Sequence, residues 1–198
     1  MKKIIFTVAA IFAFGFANAQ DKKESKGTGF SKGNVFLSGV VGITSDTHGD
    51  DKSNSFGIEP KAGFFVSNNI AIGARLGYFS TKAEDVTGDT QDDGTFTAGV
   101  FGRYYFTPAS NFSVYADLGF NYVSTDHKLG AGYKTDGFDV ALTPGINYFV
   151  SDHFAIEANF GRLGYATQKD DTTGAESYDN FSLVLDLRSI SFGLLYKL

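Results

Sequence analysis

Residues 60–80 read PKAGFFVSNNIAIGARLGYFS, and apolar residues alternate with small or charged ones on both sides of the turn at residues 67–69. One parity is apolar, and it consists of Ala62, Phe64, Val66, Ile70, Ile72, Ala74, Leu76 and Tyr78. The other parity carries small residues and isolated charges, among them Lys61, Gly63, Ala71, Gly73, Arg75 and Gly77. A water-soluble sandwich would carry many Lys, Glu and Thr on its outer face, whereas these residues suit a packed interior. An apolar parity outside and a polar parity inside is typical of a transmembrane β-barrel.

The same period of two recurs along the chain and predicts eight strands. They cover residues 34–44, 55–66, 70–80, 95–106, 112–122, 137–150, 154–161 and 181–198. Short turns at 67–69, 107–111 and 151–153 alternate with polar loops at 45–54, 81–94, 125–135 and 166–180. This asymmetry is expected of short periplasmic turns and longer outer loops. We therefore predict an all-β fold, an eight-stranded antiparallel transmembrane up-and-down β-barrel, in which strand one pairs with strand eight.

Four places interrupt the pattern. Pro60 and Pro144 stand in mid-strand on the lipid-facing parity, and because proline has no N–H to donate we expect local kinks there. The parity blurs past Gly161 and slips again near Arg188 and Ser189, which predicts β-bulges at both points.

The N-terminal residues 1–19 have the pattern of an export signal. Lys2 and Lys3 precede an apolar run at 4–16, and Ala17-Asn18-Ala19 forms a small-residue cleavage site before Gln20. The run is shorter than the about 20 residues that a spanning helix needs. We predict cleavage after Ala19, then a polar, mobile lead-in at residues 20–33, and then the barrel at residues 34–198.

Composition excludes several classes of protein. Cysteine is absent, so the chain has no disulfide framework, thiolate nucleophile or lipoprotein anchor. Aromatic residues reach 16%, enough Phe and Tyr to form belts at both membrane interfaces. The net charge is −5 and becomes more negative once Lys2 and Lys3 are removed, so nucleic acid is not an expected partner.

Six charged residues are predicted to face the lumen at a similar depth. Counting back from each short turn, they are Glu59, Lys61, Arg75, Arg103, Asp117 and Glu157. Their spread along the strands corresponds to roughly 10 Å of height at about 3.3 Å per residue and a tilt of about 40°. Three cations then face three anions. Two hypotheses remain open: a stabilising plug that closes the lumen, or a gate that opens when the ion pairs exchange.

The residue types of a catalytic or metal site are sparse. Ser124 with His127 is the nearest arrangement to a lipid hydrolase, but spacing alone cannot orient an acyl-transfer triad. Asp89, Asp92 and Asp93 offer carboxylates to a divalent cation, although the spacing of a calcium loop is missing and a solvated loop explains them as well. We predict no enzymatic activity, no cofactor and no metal.

Two segments carry a resemblance to a known family. Residues 63–73, GFFVSNNIAIG, and the eight alternating segments resemble the small outer-membrane barrels related to OmpX and the OmpA membrane domain. Residues 191–198, SFGLLYKL, are similar to the sorting motif of such barrels, with Gly193 and Tyr196 in place and Leu198 where the terminal residue is usually Phe. The cleavage region Ala17-Asn18-Ala19-Gln20 resembles those of Bacteroidetes exports.

The resemblance implies residence in the outer membrane of a Gram-negative cell. It implies contact with outer-membrane lipid and lipopolysaccharide, recognition by the barrel-assembly machinery, and a possible surface ligand on the outer loops. The function expected from it is a structural or surface-interaction role, in membrane integrity or adhesion, with the lumen closed by a polar and charged network. The alternative is a narrow, porin-like channel for small or hydrophobic molecules, and a lipid-modifying enzyme comes third.

Overall fold

The computed structural model describes residues 28–185 and 190–198, and these residues form ten β-segments in one sheet. The segments are β1 (Val35–His48), β2 (Asp51–Phe65), β3 (Ile70–Asp85), β4 (Gly88–Tyr105), β5 (Phe112–His127), β6 (Tyr133–Phe149), β7 (Phe154–Asn159), β8 (Arg162–Asp170), β9 (Ser177–Val184) and β10 (Ser191–Lys197). Within the described ranges no helix has the length and apolar character to cross a bilayer.

These segments make an eight-stranded barrel. β1 to β6 are one strand each, β7 and β8 together form the seventh strand, and β9 and β10 form the eighth. All neighbours pair antiparallel, and β1 pairs with β10 from Phe36 opposite Lys197 to Gly39 opposite Leu194, which closes the barrel. The predicted fold class is confirmed.

The apolar parity faces outward and ends in two aromatic belts. The belt near the short turns contains Tyr104, Phe106, Phe112, Tyr148, Phe154 and Tyr196, all exposed on the barrel surface. The other, which we call the outer aromatic belt, contains Phe56, Tyr78, Phe96, Tyr122, Phe138, Tyr165 and Phe181. Cross-strand pairs such as Tyr78 with Phe96 and Tyr165 with Phe181 place the rings of this belt at a similar height along the barrel. Aromatic rings at both interfaces mark the limits of the bilayer.

The strands continue above the outer aromatic belt, which corrects the predicted loops. Residues 45–54 and 81–94 are mostly paired strand, with tight turns at Gly49 (φ +65°) and Gly88 (φ +126°). The segments at 125–135 and 166–180 are likewise part strand. The sequence lost its alternation there because both faces of the hairpins are in water, yet backbone pairing does not need an apolar face.

The β2–β3 ladder is interrupted at Pro60, and the kink expected there stays a prediction. It runs down to Ile58 opposite Tyr78 and resumes at Lys61 opposite Arg75. A residue without an N–H cannot complete the ladder.

The seventh strand breaks opposite Pro144. β6 pairs with β7 as far as Gly145 opposite Asn159 and with β8 from Leu142 opposite Leu163, and Gly161 between them adopts φ +82°. The irregularity predicted past Gly161 is therefore present. The one predicted at Arg188 and Ser189 lies outside the described residues.

Candidate functional site

The structure brings the six predicted lumen charges into one chain of ion pairs. The order along it is Glu59, Lys61, Glu157, Arg103, Asp117, Arg75, so the sign of the charge alternates at every step. The N–O distances in this order are 3.1, 4.0, 2.6, 2.9 and 2.5 Å. Three cations neutralise three anions.

Strand register explains why these side chains meet. Arg103 on β4 lies directly opposite Asp117 on β5, and Lys61 on β2 lies opposite Arg75 on β3. The like charges of Lys61 and Arg75 would repel each other, but each side chain reaches a carboxylate instead. Asp117 is shared, with Oδ2 on Arg103 and Oδ1 on Arg75.

Arg103 is the centre of this chain. Its side chain is 0% exposed and donates from Nε to Asp117 and from Nη1 to Glu157. Nη1 also lies 3.2 Å from the Tyr105 hydroxyl, and the guanidinium stands 4.0 Å from the centroid of the Tyr115 ring. Such a charge is tolerated in a barrel interior only when it is paired and hydrogen-bonded.

An aromatic cluster fills the lumen between this chain and the short turns. It consists of Phe30, Phe36, Phe65, Ala71, Phe101, Tyr105, Tyr115, Phe149, Ala155 and Leu195. The Tyr105 hydroxyl accepts from Arg103 Nη1 at 3.2 Å, which connects the cluster to the ion pairs, and it also accepts from Asn147 at 3.1 Å. The half of the lumen next to the short turns is therefore packed with side chains.

One ring of the cluster comes from outside the barrel strands. Residues 28–34, which we call the N-terminal strap, cross the barrel mouth at the short turns and insert Phe30, which is 3% exposed and stacks on Phe65 at 4.6 Å. The Phe30 N–H donates to the Pro108 carbonyl at 2.7 Å. Gly29 adopts φ +94°, and a Cβ there would lie 2.6 Å from the same carbonyl oxygen. The part of the predicted lead-in that the structure describes is thus packed in place rather than mobile.

Above the ion-pair chain the lumen opens into a cavity of about 810 Å³, which we call the outer cavity. Arg75 and Asp117 lie at its base, and hydroxyl and amide side chains such as Thr97, Asn121 and Gln168 line its wall. A further ion pair between Arg162 and Asp139 lies on this wall. The Arg162–Asp139 pair was not predicted, although the alternation of residues 137–150 already places Asp139 on the inward face.

At the outer mouth His127 bridges three strands. Its Nδ1 lies 2.8 Å from Asp93 Oδ1 and its Nε2 lies 3.2 Å from Thr135 Oγ1, and the ring stacks on Tyr133. Ser124 is opposite the lipid-facing Phe96 and therefore lies on the other face of β5. The considered Ser124–His127 arrangement is not formed.

The acidic residues of the β3–β4 hairpin bind cationic side chains. Asp92 lies 3.1 Å from Lys82 and 3.2 Å from Lys128, and hydrogen bonds from these ammonium groups, Lys82 first, lower the pKa of the Asp92 carboxyl. Asp93 binds His127, so it points away from Asp92, and Asp89 lies opposite Glu84 on β3. Across the described ranges no three His, Cys, Asp or Glu side chains are grouped as a metal site would require.

The three residues of the predicted assembly signal lie at the closing strand. Gly193 approaches β1 so closely that a Cβ would lie 2.8 Å from the Gly39 carbonyl oxygen. Tyr196 packs outside against Phe154 at 4.8 Å, and the Leu198 N–H donates to the Val35 carbonyl at 2.9 Å. Their role in sorting stays a prediction.

A comparison with protein families matches residues 6–197 to the family described as "Outer membrane protein beta-barrel domain". The chain belongs to this family. As an outer membrane protein β-barrel, it resides in the outer membrane, and the resemblance noted in its sequence is confirmed at the level of small eight-stranded barrels. The cleavage site after Ala19 stays a prediction.

Solved structures of outer-membrane barrels are similar to this chain at low sequence identity, and the fold is shared with OprG. OprG from Pseudomonas aeruginosa matches with a TM-score of 0.56 and 14% identity over 86% of this chain and 98% of its own. The N-terminal β-barrel domain of OprF from Pseudomonas aeruginosa gives 0.49 and 10% over 85% and 100%, and Ail from Yersinia pestis gives 0.43 and 15% over 84% and 100%. The comparison with curated proteins found no match.

Proposed function

We propose that this outer-membrane β-barrel has a structural or surface-interaction role and that its lumen is closed to through-passage. The observation that carries the proposal is the chain of ion pairs centred on Arg103, which lies directly above the aromatic cluster. An ion crossing the barrel would have to displace a fully buried guanidinium from two carboxylates and then pass the ring of Phe30. An eight-stranded barrel is just wide enough for side chains to fill it.

The surfaces left for partners are the outside of the barrel and the outer hairpins. We assign the apolar band between the two belts to outer-membrane lipid, the rim to lipopolysaccharide, and β10 to the barrel-assembly machinery. Any surface ligand would meet the hairpins above the outer aromatic belt. Lys52 with Glu84, and Asp92 with Lys82 and Lys128, join neighbouring strands there.

We propose no catalytic activity. The hydrolase arrangement considered from the sequence needs Ser124 and His127 on one face, and they lie on opposite faces of β5. Thr135, which contacts His127 instead, also lies 2.6 Å from the Asp170 carboxylate. This network joins β4, β5, β6 and β8, which supports a structural reading.

Planar-bilayer recording tests the closed lumen. The wild-type barrel should show no steady conductance, because the ion-pair chain and the aromatic cluster both block the path. The double variant Phe30→Ala with Arg103→Ala removes one side chain from the aromatic cluster and one from the ion-pair chain. It should therefore conduct and also serve as the positive control. Steady conductance of the wild-type protein would contradict the closed lumen and favour the alternative of a narrow channel.

The surface role is tested in the source bacterium. A deletion strain should become more permeable to large hydrophilic antibiotics if the barrel supports the membrane, and the wild-type chain should restore resistance. A variant with residues 46–51 and 83–90 replaced by two-residue turns keeps the membrane part and removes hairpin tips. Equal rescue by both chains would assign the role to the barrel body, and loss of cell adhesion with the shortened chain would assign it to the hairpins. A deletion strain with unchanged antibiotic permeability and unchanged cell adhesion would contradict both roles.

A further inference from the structure

One aromatic ring inside the barrel is left uncovered. Phe79 follows the lipid-facing Tyr78 on β3, so alternation turns its side chain into the lumen, where it lines the outer cavity. It is 43% exposed, whereas rings of the aromatic cluster such as Phe101 and Tyr105 are 4% and 0% exposed. Because apolar surface in contact with water is unfavourable, a ligand that covers the Phe79 ring gains free energy.

Two glycines let the Phe79 ring lie against the barrel wall. A Cβ on Gly57 would lie 2.5 Å from Phe79 Cδ1, and a Cβ on Gly77 would lie 3.0 Å from Phe79 Cε2. The ring therefore leans over both glycines, and larger residues at these two positions would push it off the wall. Its side away from the glycines faces the cavity and offers an apolar platform to a ligand.

Polar side chains surround this platform. The position that a Cβ on Gly77 would take is 3.3 Å from Thr97 Cβ and 3.8 Å from Glu59 Cγ, so both side chains are immediate neighbours of the ring. Thr95 lies directly opposite Phe79 on β4. The Glu59 side chain is 21% exposed, and its carboxylate is a strong acceptor for a hydroxyl hydrogen.

Two pairs of hydroxyl groups lie next to the platform. Ser55 Oγ and Thr81 Oγ1 are 3.2 Å apart, and Thr95 Oγ1 and Thr125 Oγ1 are 2.9 Å apart. Each pair has two O–H groups, and the bond within the pair uses one of the two hydrogens. One hydroxyl hydrogen and several oxygen lone pairs are left at each pair, so the wall offers both donors and acceptors.

The charges beside the platform favour a neutral ligand. Four charged side chains of β2, β3 and β5 line the cavity, and they are already paired, Glu59 with Lys61 and Arg75 with Asp117. A charged ligand would compete with these ion pairs and would leave one of their members without its partner. A neutral ligand can accept from and donate to the same wall while every ion pair stays intact.

A pyranose sugar has the surface that matches this wall. Its axial C–H groups form an apolar face, and such a face suits the electron-rich face of an aromatic ring. Its hydroxyls lie around the edge of the ring and both donate and accept hydrogen bonds. A sugar stacked on Phe79 would therefore direct its hydroxyls toward the Glu59 carboxylate and the Thr97 hydroxyl.

We propose that the outer cavity binds the neutral terminal pyranose of a glycan outside the cell, with the sugar ring stacked on Phe79 and its hydroxyls bound by Glu59 and Thr97. The ion-pair chain closes the cavity below, so the sugar enters end first from the side of the outer hairpins, and the rest of the glycan meets these hairpins. The proposal deepens the surface-interaction role and rests on it, because a closed lumen supplies the floor of the site.

Saturation-transfer NMR tests the stacked sugar. The protein is reconstituted in phosphatidylcholine nanodiscs, which contain no sugar, and the probe is methyl β-D-glucopyranoside. Saturation of the aromatic protons should reach the axial ring protons of the probe most strongly, and the effect should level off as the probe is added. Sorbitol has the hydroxyls but no ring face, so it should receive no saturation. Equal transfer to both compounds, or no transfer to the glucoside, would overturn the proposal.

A matched pair of variants tests the platform. Phe79→Leu removes the ring from the cavity and should weaken saturable transfer at least several-fold, and Phe120→Leu removes a lipid-facing ring on β5 and should leave it unchanged. Because the chain has no Trp, Phe79→Trp keeps a ring and adds a fluorophore whose emission should change along a saturating curve with the glucoside. Unchanged transfer in Phe79→Leu would overturn the proposal. If Phe79→Leu does not fold, an indole that is indifferent to the glucoside would overturn it.

A second matched pair tests the hydroxyl contact. Thr97→Val keeps the shape of the side chain and removes its hydroxyl, so it should weaken binding of the glucoside several-fold. Thr167→Val makes the same change opposite the lipid-facing Phe138 and should leave binding unchanged. Equal binding by both variants would contradict the role of Thr97. Conductance is recorded separately, so a barrel that neither conducts nor binds the sugar would overturn this proposal and leave the closed lumen in place.

Discussion

Arg103 is the residue that joins the two halves of the charged chain, because Asp117 and Glu157 come from strands that do not touch each other. Replacing it with Met leaves both carboxylates buried without this cation. We expect Arg103→Met to lower the free energy of unfolding by about 3–5 kcal/mol. Urea unfolding in vesicles, followed by circular dichroism, measures the loss. Arg162→Met is the control, because that side chain is 39% exposed and should cost little. Equal losses of unfolding free energy in Arg103→Met and Arg162→Met would show that Arg103 is not central to the ion-pair chain.

The ring of Phe30 fixes the N-terminal strap to the aromatic cluster. Phe30→Ala removes its contacts with Phe36, Phe65, Tyr105 and Phe149 and should reduce stability by about 3 kcal/mol. The single variant should still not conduct, because the ion-pair chain remains. Lys32→Ala in the same strap changes an exposed side chain and keeps the backbone bond to Asn68, so its unfolding should match wild type.

At the scale of elements, the β3–β4 hairpin is held to β5 by Asp92. Because the folded-state pKa of Asp92 lies below the ordinary value of 3.8, its pairing stabilises the hairpin above that value and is lost as the pH falls through the lowered folded value. We expect Asp92→Asn to speed amide hydrogen exchange of residues 81–93 at pH 7, and to differ little from wild type once the pH is below the folded pKa. Asp89→Asn, outside this ion-pair set, is the control. A difference that persists in acid would contradict the assignment.

The strands also show which features of the fold the sequence predicts and which it does not. Inside the bilayer the two faces of β4 and β5 meet lipid and lumen, so the period of two identifies which side of the strand Arg103 and Asp117 occupy. Above the outer aromatic belt both faces meet water, and the paired strands at 45–54 and 81–94 had no pattern to reveal them. The ion pair of Arg162 was hidden for a related reason, because the break opposite Pro144 shifts the parity of the strand that carries it.

At the scale of the molecule, the last residues close the barrel and are the predicted assembly signal. Deleting residues 196–198 removes the bonds from Lys197 N–H to His153 and from Leu198 N–H to Val35. We expect the truncated chain to be degraded in the periplasm, and Leu198→Phe to be tolerated or to raise the yield. Immunoblots of outer-membrane fractions measure both, and unchanged levels after the deletion would exclude a sorting role.

Two features of the whole barrel lay beyond sequence analysis. Phe30 is a single aromatic residue in a polar segment, and nothing periodic relates it to the cluster that receives it. The register by which β1 and the last strand close the barrel is the other, because alternation reports which face a residue occupies but not which residue lies opposite it on the neighbouring strand.

The N-terminal strap also determines how the barrel responds to mechanical load. Lys197 donates to the Gly29 carbonyl at 2.8 Å and Phe30 is hydrogen-bonded to Pro108, so tension applied at the N-terminus reaches these contacts before it reaches β1. In single-molecule extraction from a bilayer we expect a short first event, with a gain of about 20 Å for the strap at about 3.4 Å per residue, and then the much longer release of the β1–β2 hairpin. In Phe30→Ala the first event should occur at lower force while the second is unchanged. We therefore expect the chain to yield in two stages, with the barrel strands still in the membrane after the first.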